Sequence, residues 1–111
     1  MYVTVTKIEL RSPWKFFPLS LNALKIIFQL GKDKACIKYK TKGFWTTHYT
    51  MSLWKSEEGL KKFARSGAHL YAMKQSSRIA KKVITLSFPG TELPGWSEAR
   101  EKIEQGKILK F

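Results

Sequence analysis

The segment from Phe44 to Met73 constrains the fold more than any other part of this 111-residue chain. Its first part, Phe44–Trp54, alternates between two sets of side chains, and this period of two predicts a β-strand. Ser56 then provides a typical helix N-cap, and Glu57 follows in the first turn, where the helix dipole favours anions. The segment therefore predicts a strand that feeds into a helix, which Ser66-Gly67 kinks before it continues to Met73.

The periodicity of the remaining sequence predicts five further elements, and Gly and Pro separate them. They are a strand over Tyr2–Leu10, a helix over Leu21–Leu30 capped by Ser20 and ended by Gly31, a strand over Lys34–Thr41 that turns at Lys42-Gly43, a strand over Lys82–Phe88, and a helix from Trp96 to Gln105. The first helix has an apolar stripe, which predicts its buried side: Leu21, Leu24, Ile27 and Phe28. The order β-α-β-β-α-β with an appended helix is typical of a ferredoxin-like antiparallel sheet. We therefore expect an α+β fold and one domain over residues 1–111.

The predicted strand Phe44–Trp54 has two different faces. One face carries Trp45, Thr47, Tyr49, Met51 and Leu53, and it predicts a surface that packs against helices. The other carries Phe44, Thr46, His48, Thr50, Ser52 and Trp54, and it is apolar at its ends and polar in its middle. Such a face suits a cavity closed by a second subunit, which predicts a homodimer related by a twofold axis. The apolar tail Ile108–Phe111 could pair across the same interface.

The net charge of +13 raises the question of nucleic-acid binding. Most of this charge is lysine, whereas base and phosphate recognition favours the arginine fork. The densest patch consists of Lys32, Lys34, Lys38, Lys40 and Lys42. A solvated surface, or an edge strand protected against aggregation, explains this pattern better than specific nucleic-acid binding.

Three further features bear on location. Cys36 is the only cysteine, so an intramolecular disulfide is excluded and a reducing cytosol is expected. The N-terminal alternation predicts a strand rather than a signal peptide. The apolar run Trp14–Leu30 is interrupted by Lys15, Pro18 and other polar residues, so no membrane span is expected. We therefore predict a cytoplasmic protein.

The sequence LWKSEEGLKKFARSGAHLYAM, which ends at Met73, resembles small dimeric α+β-barrel proteins of the antibiotic-biosynthesis-monooxygenase type. It is most similar to a spheroidene-monooxygenase-like bacterial branch, and the terminal LPGWSEAREKIEQGK is similar to that branch as well. The resemblance implies a ferredoxin-like homodimer that oxidises a flat, hydrophobic or aromatic small molecule without metal or flavin. Some members bind or degrade haem, which this resemblance makes possible but less expected here.

His69 is the candidate catalytic residue, because an imidazole can remove a phenolic or enolic proton near neutral pH. The candidate substrate-binding residues are His48, Thr50, Trp54, Phe44 and Met73, which would line a pocket between the sheet and the helices. Two other interpretations of His69 stay open: a hydrogen bond to a backbone carbonyl beside the predicted kink, and axial ligation of haem iron. The alternative to an oxygenase is a non-catalytic protein of the same fold that binds a small hydrophobic ligand or an anionic partner.

Overall fold

The computed structural model describes residues 1–65, 74 and 78–110, without the side chains of Leu30 and Phe44. The elements in these ranges are β1 Tyr2–Leu10, α1 Phe16–Lys32, β2 Cys36–Phe44, β3 Thr47–Trp54, α2 Glu57–Ala64, β4 Ala80–Pro89, α3 Trp96–Ile103 and β5 Lys107–Lys110. The predicted kink at Ser66-Gly67 and the continuation to Met73 lie outside the described residues. None of the helices in these ranges is long and apolar enough to cross a membrane.

The strands form one antiparallel sheet in the order β2-β3-β1-β4-β5. The first four strands in this order, together with α1 and α2, form the ferredoxin-like α+β arrangement, so the predicted fold class is confirmed. The C-terminal tail forms β5, in which Ile108 pairs with Ile84 of β4. The tail residues Lys107–Lys110 therefore pair within their own chain rather than across a subunit interface.

Both faces of the sheet are covered by helices of the same chain. On one face Val3, Val5 and Met51 pack with α3, where Ala99 and Ile103 are fully buried. The other face carries the alternate side chains of β3, and α1 and α2 cover it through contacts such as Trp54 with Phe63 and Ile26. The prediction that a second subunit closes this face is therefore wrong. The physical reason is that α1 and α2 of the same chain already cover it.

Helix α1 begins earlier than the sequence predicted. A 3-10 turn over Pro13–Lys15 leads directly into the helix at Phe16, and the helix ends at Lys32. Pro18 is its third residue, where a backbone N–H has no partner within the helix, so proline is tolerated there. Ser20 therefore lies inside the helix rather than at its cap, and Gly31 lies in its last turn.

The predicted buried stripe of α1 is also wrong in most of its members. Leu21, Leu24 and Phe28 are exposed, whereas Ile27 is partly buried and faces the sheet. The residues that face the sheet with Ile27 are Leu19, Asn22, Ala23 and Ile26. Helix α1 therefore carries one apolar face toward the sheet and a second one toward solvent.

The hairpin between β2 and β3 turns three residues later than predicted. Gly43 pairs with His48, and Phe44 pairs with Thr47, so the two turn residues are Trp45 and Thr46. Trp45 adopts a positive φ of 56°, a conformation that bulky residues rarely take. Gly43 thus lies within the strand, where its missing side chain leaves room for the ring of His48.

Strand β2 is an edge of the sheet and carries a row of exposed lysines. Lys38, Lys40 and Lys42 pair with Leu53, Met51 and Tyr49, so they lie on the sheet face that α3 covers. Together with Lys34, which precedes the strand, we call them the β2 lysines. Their position on an edge strand agrees with a role in keeping one sheet from pairing with the next.

Candidate functional site

A cavity of about 180 Å³ lies between α1 and the sheet. The sheet contributes Thr6, Ile8, Tyr39, Thr41, Thr50 and Val83, the helix contributes Leu19, Asn22, Ala23, Ile26 and Ile27, and Ile79 and Ala80 close one end. Short threonine side chains on the sheet and Ala23 on the helix leave space where larger side chains would fill it. Small side chains on the sheet and on the helix therefore create the cavity.

Part of the cavity floor is a row of threonines that crosses the sheet, and Ile8 and Val83 add apolar side chains beside this threonine row. Thr50 of β3 pairs with Thr41 of β2 on one side and with Thr6 of β1 on the other, and Thr6 pairs with Thr85 of β4. The next row contains Tyr39, Ser52, Thr4 and Ser87, in which the Thr4 and Ser87 hydroxyl oxygens are 2.9 Å apart. Hydroxyls both donate and accept hydrogen bonds, so this floor can bind either a carbonyl or a phenol.

The roof of the cavity is apolar. Leu19, Ala23 and Ile26 present hydrocarbon toward the threonine row, and Asn22 is the only polar side chain that α1 adds to the described lining. A cavity with an apolar roof and a hydroxyl floor is suited to a flat, largely apolar molecule that carries oxygen atoms at one edge. This arrangement favours a ring system over a charged metabolite.

The structure places the predicted site residues at different distances from this cavity. Thr50 lines it directly. His48 and Trp54 lie on the same face of β3, outside the described lining. The Phe44 side chain, His69 and Met73 lie outside the described residues, so the predictions about them stay predictions.

His48 lies two residues before Thr50 on the same face of β3, and it pairs with Ile8 of β1. Its ring stacks on Phe16 at a centroid distance of 5.7 Å, and Nε2 is 3.2 Å from the carbonyl oxygen of Trp45. A carbonyl only accepts hydrogen bonds, so Nε2 donates and Nδ1 is the unprotonated nitrogen of the neutral ring. Nδ1 lies against Gly43 rather than in the cavity. His48 therefore stabilises the hairpin and the start of α1.

Trp54 is almost fully buried and connects α2 to the sheet. Its indole N–H donates to the Ser52 hydroxyl at 2.7 Å, and its ring packs on Phe63 at a centroid distance of 5.0 Å. Helix α2 is positioned there by its cap, in which the Ser56 hydroxyl accepts from the Gly59 amide at 3.1 Å. The contacts of Trp54 are thus those of a core residue.

Acid–base groups are scarce around the cavity. Tyr39 carries the only ionisable side chain in the described part of the lining. Within the described ranges, no group of three histidine, cysteine or acidic residues is placed to hold a metal ion. Cys36 lies in the neighbouring cluster around Trp54, and burial raises the pKa of its thiol. The described lining can bind and orient a ligand, and Tyr39 is the one side chain in it that could exchange a proton.

Sequence reasoning missed most of the cavity, although a signal for its floor was present. Thr6 and Thr41 lie on the strands that flank β3, and each pairs with Thr50. Hydroxyl residues at alternate positions of β1 and β3 could have indicated this row once the two strands were paired. Asn22 and Ala23 carried no comparable signal, because the predicted buried side of α1 was different.

Comparisons with known proteins identify the fold. No family model matches the sequence, and no curated protein matches it significantly. Among solved structures, Rv0793 from Mycobacterium tuberculosis superposes with a TM-score of 0.74 at 12% identity, over 85% of this chain and 98% of that one. A structure described as an antibiotic biosynthesis monooxygenase gives 0.71 at 7% identity, over 83% and 100% of the two chains.

The chain has the fold of the antibiotic-biosynthesis-monooxygenase-like proteins. A third structure of this fold is a mutant of SnoaB from Streptomyces nogalater, described as a cofactor-independent oxygenase. It superposes with a TM-score of 0.65 at 9% identity, over 83% of this chain and 94% of that one. The resemblance predicted from the sequence is thus confirmed for the fold, and at these identities the likeness extends no further.

Proposed function

We propose that the chain is a monooxygenase-like protein that oxidises a flat hydrophobic or aromatic molecule bound between α1 and the sheet. The observation that carries this proposal is the cavity with a hydroxyl floor and an apolar roof. Support also comes from its fold, which SnoaB, a cofactor-independent oxygenase, shares. The reaction would need neither metal nor flavin, because a deprotonated phenol or enol can pass an electron to oxygen directly.

The proposed roles divide between binding and proton transfer. Thr50 and its neighbours in the threonine row would hold the oxygen atoms of the substrate, and Phe44 and Met73 are further proposed contacts. His69 is the proposed general base, which removes a phenolic or enolic proton and leaves a carbanion that passes an electron to oxygen. We also propose that the protein works in the cytosol as a homodimer. Its interface would have to use another surface than the face that α1 and α2 bury.

A second candidate function is non-catalytic binding of the same class of molecule. It is favoured by the lack of any acid–base group other than Tyr39 in the described lining. Binding proteins need only the shape and the hydrogen bonds of such a cavity, whereas an oxygenase also needs a base. The two candidates therefore differ in chemistry but share one site.

Oxygen uptake with a panel of naphthalene and anthracene hydroquinones, corrected for autoxidation in buffer, separates the two candidates. An oxygenase would consume oxygen above the buffer rate, and His69→Ala would abolish the excess. Ala23→Phe would block the cavity, and Thr50→Val would lower the affinity for the hydroquinone about fivefold by removing one hydrogen bond. Thr47→Val is the matched control, because Thr47 lies on the opposite face of the same strand.

A binding protein would give a different result with the same variants. The hydroquinone or its quinone would quench tryptophan fluorescence in the wild type and not in Ala23→Phe. Oxygen uptake would equal the buffer rate both in the wild type and in His69→Ala. If neither binding nor oxygen uptake responds to Ala23→Phe, the cavity is not the functional site and both candidates are wrong.

A further inference from the structure

The outer side of α1 carries a stripe of large apolar side chains in water. Phe17, Leu21, Leu24 and Phe28 are 56–72% exposed, and Trp14, in the turn before the helix, is 76% exposed. Their separations alternate between three and four residues, which places the four helical residues on one side of an α-helix. We call these five residues the outer stripe.

The packing of residues 1–65, 74 and 78–110 does not explain the outer stripe. Leu19, Ala23 and Ile26 on the opposite side of α1 already provide its contacts with the sheet. Single exposed apolar residues are normal in soluble proteins, but a contiguous patch of aromatic and leucine side chains marks a surface that meets a partner. We therefore expect a binding partner to cover the outer stripe.

The charge around the outer stripe indicates what kind of partner covers it. From Arg11 to Lys32 the chain contains four basic residues and no acidic one: Arg11, Lys15, Lys25 and Lys32. Lys25 and Lys32 are exposed and lie within about a fifth of a turn of the stripe, where their long side chains can reach past the apolar surface. A second copy of this chain on the outer stripe would bring the same four basic residues to the contact, so like charges would oppose self-association there, whereas an anionic surface would attract them.

We propose that α1 attaches the protein to the surface of an anionic lipid bilayer, with the outer stripe inserted at the boundary between headgroups and acyl chains. Helices that lie in this boundary combine Trp, Phe and Leu on one side with flanking lysines. Each lysine near an anionic surface adds attraction, and Trp is enriched at this depth of the membrane. The stripe and the charge meet both requirements.

Attachment through α1 would also place the cavity next to the lipid. The same helix lines the cavity with its inner side, so only the thickness of one helix, about 10 Å, separates the cavity from the bilayer. A hydrophobic substrate dissolved in the membrane would then be concentrated close to the cavity. This last step rests on the proposed function, whereas the attachment itself does not.

Flotation with vesicles tests the attachment without any substrate, so it is independent of the oxygenase proposal. Vesicles of phosphatidylcholine with roughly one-third phosphatidylglycerol are compared with pure phosphatidylcholine at about 0.1 M salt. We expect the wild-type protein to float with the anionic vesicles and much less with the neutral ones. Aggregated protein stays at the bottom of the gradient and is not counted.

The decisive variant is Phe17→Gln/Leu24→Gln/Phe28→Gln, which changes only exposed positions. Each apolar side chain that leaves water contributes roughly tenfold to binding, so this variant should bind anionic vesicles at least about 100-fold more weakly. Ile108→Gln/Leu109→Gln is the matched control, because these residues are exposed apolar residues on β5, and it should float like the wild type. Lys25→Gln/Lys32→Gln should weaken binding about fivefold for each lysine.

Three results would overturn the proposal. The first is a wild-type chain that does not float with anionic vesicles at all. The second is a triple glutamine variant that floats like the wild type, which would mean that charge alone attracts the protein. The third is a wild-type dimer in sedimentation velocity that the triple variant converts to a monomer, in which case a second copy covers the outer stripe.

Discussion

The substitution Gly43→Ala tests how β2 and β3 position His48. The two residues pair across the strands, and the His48 ring occupies the space where other residues have a side chain. A Cβ atom at residue 43 would overlap Nδ1 of His48 and lie 2.6 Å from its Cε1. Contacts this short do not occur in folded proteins, so the ring has to move.

The cost of this movement can be worked out from the contacts of the ring. The hydrogen bond from Nε2 to the Trp45 carbonyl, 3.2 Å long, contributes about 1 kcal/mol to stability. The stacking on Phe16 at 5.7 Å contributes about another 1 kcal/mol. Replacing glycine by alanine in a strand raises the free energy of unfolding by about 0.5–1 kcal/mol, because alanine loses less backbone entropy on folding. Gly43→Ala should therefore lower the free energy of unfolding by about 1 kcal/mol.

The background His48→Ala should reverse the sign of this effect. Without the ring there is nothing to displace, so Gly43→Ala should then raise the free energy of unfolding by about 0.5–1 kcal/mol. Urea unfolding of the four chains measures both values, provided that the m-value is unchanged. Gly31→Ala is the matched control, because a Cβ there meets nothing within 4 Å and should stabilise α1 in both backgrounds. Equal destabilisation by Gly43→Ala in both backgrounds would refute the described position of His48.

Three further predictions concern other parts of the chain. Trp54→Phe leaves the buried Ser52 hydroxyl without its indole donor and should lower the free energy of unfolding by about 1–3 kcal/mol. Adding Ser52→Ala to this variant should recover part of that loss, and fully additive effects of the two substitutions in urea unfolding would contradict the prediction. Burial raises the pKa of the Cys36 thiol above its ordinary value, so alkylation should need a higher pH in the folded chain than in denaturant. The stability gained from keeping this thiol protonated is complete below the unfolded pKa and is lost as the pH rises through the raised one; coincident alkylation midpoints would exclude it. Duplex DNA should bind only weakly, with a slope of about 0.9 in log affinity against log salt for each phosphate neutralised, and submicromolar binding at physiological salt that is lost on changing the β2 lysines to glutamine would contradict this.

Local chemistry explains which elements could be predicted from the sequence. The alternation of Tyr2–Leu10 predicted β1 with its observed limits, and Ser56 was predicted to be the cap of α2, where its hydroxyl indeed accepts from Gly59. Both signals depend on residues within a few positions of each other. The order of such elements was then sufficient for the ferredoxin-like fold, because few topologies accommodate it.

The hairpin turn was misplaced because glycine has more than one structural use. Lys42-Gly43 resembles the residues of a tight turn, and sequence alone offers no reason to prefer Trp45 with a positive φ. In the structure Gly43 serves a long-range need, which is the space for the His48 ring. Only the pairing of β2 with β3 reveals that need.

Helix α1 shows most clearly why the cavity could not be predicted from the sequence alone. Leu19, Ala23 and Ile26 recur at three- and four-residue intervals, and so do Phe17, Leu21, Leu24 and Phe28, on the opposite side. Each set satisfies the rule for a buried helix face, so the rule cannot choose between them. In the structure the first set faces the sheet, where the threonine row leaves space for a cavity beneath it. The second set lies on the far side of the helix and is exposed to water. The candidate site and the proposed membrane surface therefore both depend on how α1 is rotated about its own axis.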